Sequence, residues 1–274
     1  MAKIPNDKYY TPTEIVEHCV NKVKEIVADD VTGIIEPSAG NGAFIESIEN
    51  SFNCNKYYYD LLPEHDKIKQ QDFLQLDLEY KQGMVIIGNP PFGNRSTLIV
   101  KFFKKAVRLG DYIAFILPIS QLNNVKQLYE FDLIHSEDLG KQEYSGVDLH
   151  CCFNIYKRPN SGILNNKPKL IEIDGLEVIE YRRGRHNAIT RINKEYYKSI
   201  CAWGDVGANV KNTGDYVKEL YFVTDCPKIK DVIDSINWKC EIKEISAKHL
   251  PMGLALEIIQ SKLNNQNILQ PRRT

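Results

Sequence analysis

The chain has 274 residues, of which 43% are apolar and 26% charged, and this balance excludes a disordered or fibrous protein. Its formal net charge is only −1, which at first sight disfavours a polyanionic partner. The charge is unevenly divided, however, because residues 1–158 carry 17 Lys/Arg and 22 Asp/Glu, whereas residues 159–274 carry 18 and 14. Any attraction to a polyanion is therefore expected of the C-terminal part.

The sequence pattern contains no targeting or metal-binding signal. The first ten residues are polar, and no run approaches about 18 consecutive apolar residues, so we predict neither a signal peptide nor a membrane-spanning helix. The seven cysteines include no C-x-x-C pair, and the six histidines have no ligand spacing. We therefore expect a cytoplasmic protein with no membrane partner, no disulfide framework and no bound metal.

Strand-like and helix-like segments alternate in the first part of the chain. The clearest helix is predicted at 97–110, where apolar residues recur at helical spacing and Gly110 ends the pattern. Such alternation is typical of an α/β fold, in which a mostly parallel sheet is covered by helices and ligands bind beyond the carboxyl ends of the strands. Short runs rich in β-branched and aromatic residues predict the strands at 33–38, 56–61, 84–89, 112–118, 131–139 and 150–158.

A domain boundary is indicated by Pro, Gly, Ser and Asn in 157–168, and we place it after residue 158. The part that follows is predicted to be a smaller α+β region. It begins with an expected hairpin of two strands around Asp174-Gly175. The other elements predicted there are a strand within 214–225 and helices at 226–238 and 254–264.

The segment after the first predicted strand is EPSAGNGAF (36–44), an acid followed by a loop with two glycines. It is neither G-x-G-x-x-G nor a phosphate loop, and a glycine turn alone is equally typical of any tight strand-to-helix connection. Asp60 ends the second strand, where an acid can accept hydrogen bonds from ribose hydroxyls. Asp72 and Phe73 then supply a carboxylate for an adenine amino group and a ring that can stack on the base. Together these residues predict a site for an adenosine-containing cofactor without a pyrophosphate.

The fourth predicted strand ends in Asn89-Pro90-Pro91-Phe92. Two prolines fix φ and remove two backbone donors, so the turn presents carbonyl oxygens and the Asn89 amide. An exocyclic amine complements these acceptors, and Phe92 offers a ring face on which its base can stack. The alternative is an ordinary Asn-Pro turn beside a core phenylalanine. The full motif after an apolar strand favours a clamp for an amine.

Taken together, EPSAGNGAF, NPPF, KYYTP (8–12) and QDF (71–73) resemble the S-adenosylmethionine-dependent adenine-N6 DNA methyltransferases. The resemblance covers about residues 8–158 and implies a Rossmann-like seven-stranded class I methyltransferase sheet. It further implies a catalytic domain at 1–158 that binds S-adenosyl-L-methionine, and a target recognition region at 159–274. The implied partner is duplex DNA with an adenine-containing target that is flipped out of the helix. Prokaryotic or phage proteins are the expected source.

The resemblance also implies a role for each matching residue. Asn89 and the Pro90 carbonyl would hold the target amine, next to Pro91, and Phe92 would stack on the target base. Asp60 stands where the family often has glutamate. The implied cofactor-binding residues are Tyr10, Thr11, Pro12, Glu36, Pro37, Ser38, Ala39, Gly40, Gly42, Asp60, Leu61, Asp72, Phe73 and Asn89.

The choice of polymer rests on the C-terminal part, which matches no motif of the family. Segment 181–194 holds five basic residues and no acidic one, so it is a candidate nucleic-acid contact, although a solvated loop has the same composition. Other substrates for the same chemistry are adenine in RNA and a glutamine side chain of a protein, and a non-catalytic nucleotide-binding module would be expected to lose the NPPF motif. The candidate nucleic-acid-binding residues are Arg182, Arg183, Arg185 and Arg191.

Overall fold

The computed structural model describes residues 10–27, 30–93, 96–144, 146–184, 195–242 and 249–268. The chain divides into two compact units, Met1–Pro168 and Lys169–Thr274. The division therefore falls at the end of the Pro- and Asn-rich segment, whereas the sequence pattern places a boundary at its beginning. No helix among the described residues is both long and apolar enough to cross a membrane.

The first unit is built on one sheet of seven strands. Its helices are α1 (Thr13–Val27), α2 (Ile45–Ser51) and α3 (Thr97–Ala106). Its strands are β1 (Gly33–Glu36), β2 (Asn55–Asp60), β3 (Lys69–Gln70), β4 (Met84–Gly88), β5 (Tyr112–Pro118), β6 (Asp132–Tyr144) and β7 (Val147–Lys157).

The strand order is β3-β2-β1-β4-β5-β7-β6. Strands β1 to β5 are parallel to one another, and β7 is antiparallel to both β5 and β6. All residues of β1 and β4 are buried, because apolar side chains cover both faces of the sheet. The predicted Rossmann-like α/β sheet is confirmed by this order and these directions.

Helix α3 shows how the sequence pattern becomes packing. Its residues Ile99, Phe102, Phe103 and Ala106 are buried, and two lysines occupy its last turn. The pattern predicts a helix as far as residue 110, whereas the regular helix ends at Ala106. The segment after it turns back to the sheet, and a Cβ at Gly110 would lie only 2.3 Å from the Met84 carbonyl oxygen. Glycine is required there for close approach rather than to end the helix.

The second unit contains a three-stranded antiparallel sheet covered by helices. Its strand order is β8-β10-β9, and one apolar cluster joins this sheet to the helices, in keeping with the predicted α+β character. The strands are β8 (Glu177–Arg182), β9 (Lys198–Cys201) and β10 (Lys218–Val223), and the helices are α4 (Pro227–Ser235), α5 (Trp238–Glu241) and α6 (Met252–Ile268).

The predicted hairpin around Asp174-Gly175 is only partly formed. A single bridge joins Ile173 to Leu176 across the turn, and β8 pairs with β10 instead of with the segment before the turn. Most of that segment is exposed to solvent: Leu170 is 51% exposed and Ile171 is 37% exposed. Of its apolar side chains only Ile173 is buried, so alternation alone is a misleading signal at this position.

Replacement of Phe103 by alanine tests the core that supports the sheet. The Phe103 ring is fully buried and meets Tyr156 and Phe131 edge-on, at centroid distances of 5.0 and 6.3 Å. We expect Phe103→Ala to lower the free energy of unfolding by about 3–5 kcal/mol. Denaturant unfolding would measure this change, and Tyr57→Ala, at an exposed ring, should cost less than about 1 kcal/mol. A similar loss in both variants would show that Phe103 is not a core residue.

Candidate functional site

A cavity of about 440 Å³ lies at the carboxyl ends of β1, β2 and β4. Because β1 pairs in parallel with both other strands, the residues that follow the three strands meet at one edge of the sheet. The predicted site residues that line this cavity are Tyr10, Thr11, Glu36, Pro37, Ser38, Ala39, Gly40, Asp60, Leu61, Asp72, Phe73, Asn89 and Pro91.

Four other predicted residues do not line the cavity: Pro12, Gly42, Pro90 and Phe92. The Pro12 carbonyl oxygen accepts from the Val16 N–H in the first turn of α1. Gly42 has φ of 83°, and a Cβ there would approach Ile45 Cδ1 to 2.9 Å. Glycine at this position is thus explained by backbone conformation and packing.

Asp60 fixes the loop that follows β1. Its Oδ2 accepts from the Gly40 N–H at 2.8 Å, and its Oδ1 accepts from the Leu62 N–H at 2.8 Å. The Ala39 N–H donates to the Tyr59 carbonyl oxygen at 2.9 Å, which further ties this loop to β2. One carboxylate therefore holds two loops that line the cavity, and each of its oxygens can still accept a second hydrogen bond.

Asp72 and Phe73 have structural contacts in addition to the ligand contacts that their motif predicts. The Asp72 Oδ1 accepts from the Leu74 N–H at 2.9 Å and so caps a short 3₁₀ turn at Phe73–Gln75. The Phe73 side chain is 1% exposed, and its ring packs against Phe102 at 5.3 Å. Much of the Phe73 ring is thus committed to the core. More open apolar surface comes from Leu61, which is 62% exposed.

Glu36 is a fully buried acid in the cavity wall. Its side chain is 2% exposed, and Oε2 has no hydrogen-bond partner in the described part of the chain. Burial raises the pKa of Glu36 to about 8, and the negative charge of Asp60 contributes in the same direction. The carboxyl group therefore keeps its proton at neutral pH.

Asn89 is held in a defined orientation. Its Nδ2 donates to the Thr11 Oγ at 3.1 Å, and its main-chain oxygen accepts from the Ser38 Oγ at 3.2 Å. Thr11 is itself buried, at 8% exposure. With Nδ2 bound to Thr11, the Asn89 Oδ1 has no partner among the residues described and can accept a hydrogen bond from a ligand.

Phe92 packs against apolar residues on both sides of the sheet and is half-buried. The next residue, Gly93, has φ of 68°, and a Cβ there would lie 2.7 Å from Leu98 Cγ. This close contact seats the turn on α3. A stacking role for the Phe92 ring remains a prediction.

The cavity also contains residues that the sequence pattern does not identify. Some of them lie inside the glycine-loop and QDF motifs without an assigned role, others adjoin a predicted residue, and two lie on α3. Only adjacency to the predicted residues could have indicated them. They are Asn41, Ala43, Phe44, Leu62, Gln71, Leu74, Leu98 and Phe102.

The candidate nucleic-acid-binding arginines lie in the second unit or outside the described residues. The Arg182 Nε donates to the Glu180 carboxylate, and an Arg183 Nη donates to the main-chain oxygens of Gly214 and Asp215. Arg183 therefore stabilises a loop. Arg185 and Arg191 lie outside the residues that the structure describes. Across the described ranges, no group of three or more metal-ligating side chains is found.

No protein-family model and no curated protein matches this sequence. Among solved structures, the chain is similar to a candidate RNA methyltransferase from Pyrococcus horikoshii, with 14% identity over 58% of this chain and 90% of that chain and a TM-score of 0.47. A candidate class I S-adenosylmethionine-dependent methyltransferase from Listeria monocytogenes has 12% identity over 61% and 65% of the two chains, with a TM-score of 0.47. The methyltransferase subunit of a type I restriction-modification system from Streptococcus thermophilus has 11% identity over 56% and 45%, with a TM-score of 0.43. These values assign no substrate.

Glu36 gives the site a testable pH signature. Folding raises its pKa from 4.5 to about 8, so between these values the folded protein holds a proton that the unfolded chain has lost. The stability that protonated Glu36 contributes is complete below pH 4.5 and is lost as the pH rises through 8. The free energy of unfolding falls by up to about 1.4 kcal/mol per pH unit in this window. We expect Glu36→Gln to flatten the pH dependence of the unfolding free energy in this window. Denaturant titrations at several pH values measure it, and equal slopes in both proteins would contradict the assignment.

Proposed function

We propose that this protein is an S-adenosylmethionine-dependent methyltransferase that transfers a methyl group to the N6 amine of adenine in DNA. The observation that carries the proposal is the Asn89 carboxamide, which lies in one cavity with Asp60 and Asp72 and is oriented by Thr11. Such an amide, in a proline-fixed turn beside a nucleoside-type site, is suited to an aromatic amine.

The cavity fits an adenosine-containing cofactor. Its volume of about 440 Å³ lies within the range of about 300–1,000 Å³ that is usual for small-molecule sites. Asp60 would accept hydrogen bonds from the ribose, Asp72 would accept from the adenine amino group, and Leu61 and Leu62 would cover the base. The wall contributed by Glu36 would lie next to the methionine part. When bound, S-adenosylmethionine supplies a methyl group activated by its sulfonium.

The residues of the NPPF turn would prepare the target amine. The nitrogen of adenine N6 is a poor nucleophile because its lone pair is delocalised into the ring. The Asn89 Oδ1 and the Pro90 carbonyl oxygen would each accept a hydrogen bond from one N–H of this amine. These two hydrogen bonds favour a more tetrahedral nitrogen. These fixed dipoles also stabilise positive charge on the nitrogen as it develops. A strong base is not required, because the amine loses a proton readily once it is methylated.

The target base must reach the cavity as a single unstacked residue. Extrusion of an adenine from a duplex costs a few kcal/mol, and stacking on the Phe92 ring would offset part of this cost. The positive excess of residues 159–274 supports a polyanionic target over a protein glutamine. Incubation with labelled cofactor, followed by separation of DNA, RNA and protein, identifies the polymer, and nucleoside analysis of the product identifies the methylated atom. Label found only in RNA or only in protein would overturn the proposal.

Asn89→Ala tests the clamp. Removal of the acceptor should lower kcat by about 10²–10³-fold, whereas cofactor affinity should stay within a few-fold because Asn89 is assigned to the amine. Methyl transfer measures the first effect, and calorimetry with S-adenosylhomocysteine measures the second. Asn53→Ala, at an exposed asparagine of the same unit, is the matched control. Retention of transfer by Asn89→Ala would rule out the clamp.

Asp60→Ala tests the cofactor half of the cavity. The variant loses the acceptor for Gly40 and Leu62 and the proposed acceptor for ribose, and a charged hydrogen bond contributes about 1.5–3 kcal/mol. Calorimetry should therefore show weaker binding of S-adenosylhomocysteine by that amount or more. Asp60→Asn keeps one acceptor oxygen and should lose less. The ribose assignment fails if both variants bind like the parent.

A further inference from the structure

Trp203 is an exposed indole in the second unit. The chain has only two tryptophans, and they differ sharply, because 53% of Trp203 is exposed whereas Trp238 is 3% exposed and stacked on Phe222. An exposed tryptophan is a large apolar surface in contact with water. Neither the proposed catalytic site nor the sequence motifs include it.

The backbone around Trp203 is held on both sides. An isolated bridge pairs Trp203 with His249, the Ala202 N–H donates to the Lys218 carbonyl oxygen, and the Leu250 N–H donates to the Ala202 carbonyl oxygen. The indole ring also leans on the His249 ring, at 5.3 Å and 57°. Backbone hydrogen bonds fix the position of Trp203, and the His249 ring packs against the indole. Little conformational entropy is therefore lost when a ligand contacts the indole.

Beside the indole lies a network of charged and polar side chains. Lys218, which is 3% exposed, donates to the His249 Nε2 at 2.9 Å and to the Leu250 carbonyl oxygen at 3.1 Å, and it pairs with Glu180 at 2.9 Å. Arg182 pairs with the other Glu180 oxygen. Within this network two cations share one carboxylate.

His249 is neutral in this network. Burial and the charges of Lys218 and Arg182 lower its pKa to about 4, although Glu180 acts in the opposite direction. Since Nε2 accepts from Lys218, the ring proton is on Nδ1. Nδ1 has no partner within the described ranges and can donate to a ligand.

We propose that Trp203, His249 and Arg182 form a contact site for an unpaired nucleotide, in which the indole stacks on the base and the Arg182 guanidinium meets a phosphate. His249 would donate from Nδ1 to an acceptor on the base edge. Stacking on exposed aromatic rings next to basic side chains is a general mode of single-strand recognition. The inference rests on the proposed function for its choice of a nucleic acid, and it adds a base contact to the phosphate contacts expected of the basic segment.

A nucleic acid fits this surface better than an apolar protein partner. Trp203 is an exposed ring beside charged groups, whereas a protein interface has at its centre several apolar side chains with few charges. Arg182 remains 42% exposed, and its Nη groups have no partner among the described residues. Both groups that would meet the nucleotide are therefore accessible.

Tryptophan fluorescence tests the base contact in the full-length protein. The probe is a single-stranded adenine-containing DNA oligonucleotide, and polyphosphate of equal charge is the control without bases. We expect the oligonucleotide, but not polyphosphate, to quench the emission of Trp203. Trp203→Phe should remove the quenching, because the buried Trp238 is then the only tryptophan. The variant should retain most of the affinity, because a phenylalanine ring can still stack on the base. Equal quenching by polyphosphate would overturn the base contact.

Affinity and its salt dependence separate stacking from charge. Trp203→Ala should weaken oligonucleotide binding about 5- to 150-fold with an unchanged log–log salt slope, because stacking releases no counterions. Arg182→Ala should instead flatten that slope by about 0.7. Tyr57→Ala, at an exposed ring of the first unit, is the control and should match the parent. Circular dichroism and the emission of Trp238 confirm the fold of each variant.

The two proposals can fail independently of each other. Parent-like oligonucleotide affinity of a folded Trp203→Ala protein overturns the contact site, even if Asn89→Ala abolishes methyl transfer as expected. Conversely, quenching of Trp203 by DNA in a protein that methylates no nucleic acid supports the contact site and refutes the proposed reaction. A change in Trp203 emission on addition of a protein partner, with no change on addition of oligonucleotides, would also overturn the inference.

Discussion

The parallel pairing of β1 with β2 and β4 is the constraint on which the site depends. It places Glu36, Asp60 and Asn89 at the carboxyl ends of three adjacent strands, although they are far apart in sequence. The strands can take this arrangement because their side chains are apolar on both faces and helices cover them. The polar groups are thereby restricted to the strand ends, where the backbone leaves the sheet and side chains can face a ligand.

Hydrogen bonds within the cavity wall convert this proximity into fixed geometry. Asp60 joins the loops after β1 and β2 through Gly40 and Leu62, and Thr11 orients Asn89 from a segment before α1. The acceptors are therefore fixed by contacts within the protein itself, which lowers the cost of ordering them when a ligand binds. Glu36 is the exception, since its buried Oε2 has no partner in the described residues. Burial raises the pKa of this carboxyl group, which therefore stays neutral.

Sequence patterns predict the first unit well because its signals are strong and local. β5 matches its predicted bounds, and most of the cavity wall is present in the motifs around Glu36, Asp60 and Asn89. Patterns fail where long-range packing decides the outcome. Residues 169–172 alternate like the start of a strand, yet Leu170 and Ile171 are exposed. The packing of Phe73 on Phe102 is likewise not visible in the local sequence, and its contact with a ligand stays a prediction. Tertiary hydrogen bonds such as that from Asn89 to Thr11 likewise leave no trace in local sequence.

The two backbone hydrogen bonds accepted by Asp60 have a consequence for selectivity among cellular metabolites. A glycine-rich loop after a first strand commonly directs its N–H groups at phosphates, but here the Gly40 N–H is used by a carboxylate. The loop consequently presents negative charge where a phosphate-binding protein presents donors. A phosphate group at this point would lack the Gly40 donor and lie near a carboxylate, whereas an adenosine derivative without phosphate would not need that donor. Asp60 would thus favour ligands that bring a ribose, and no phosphate, to this loop.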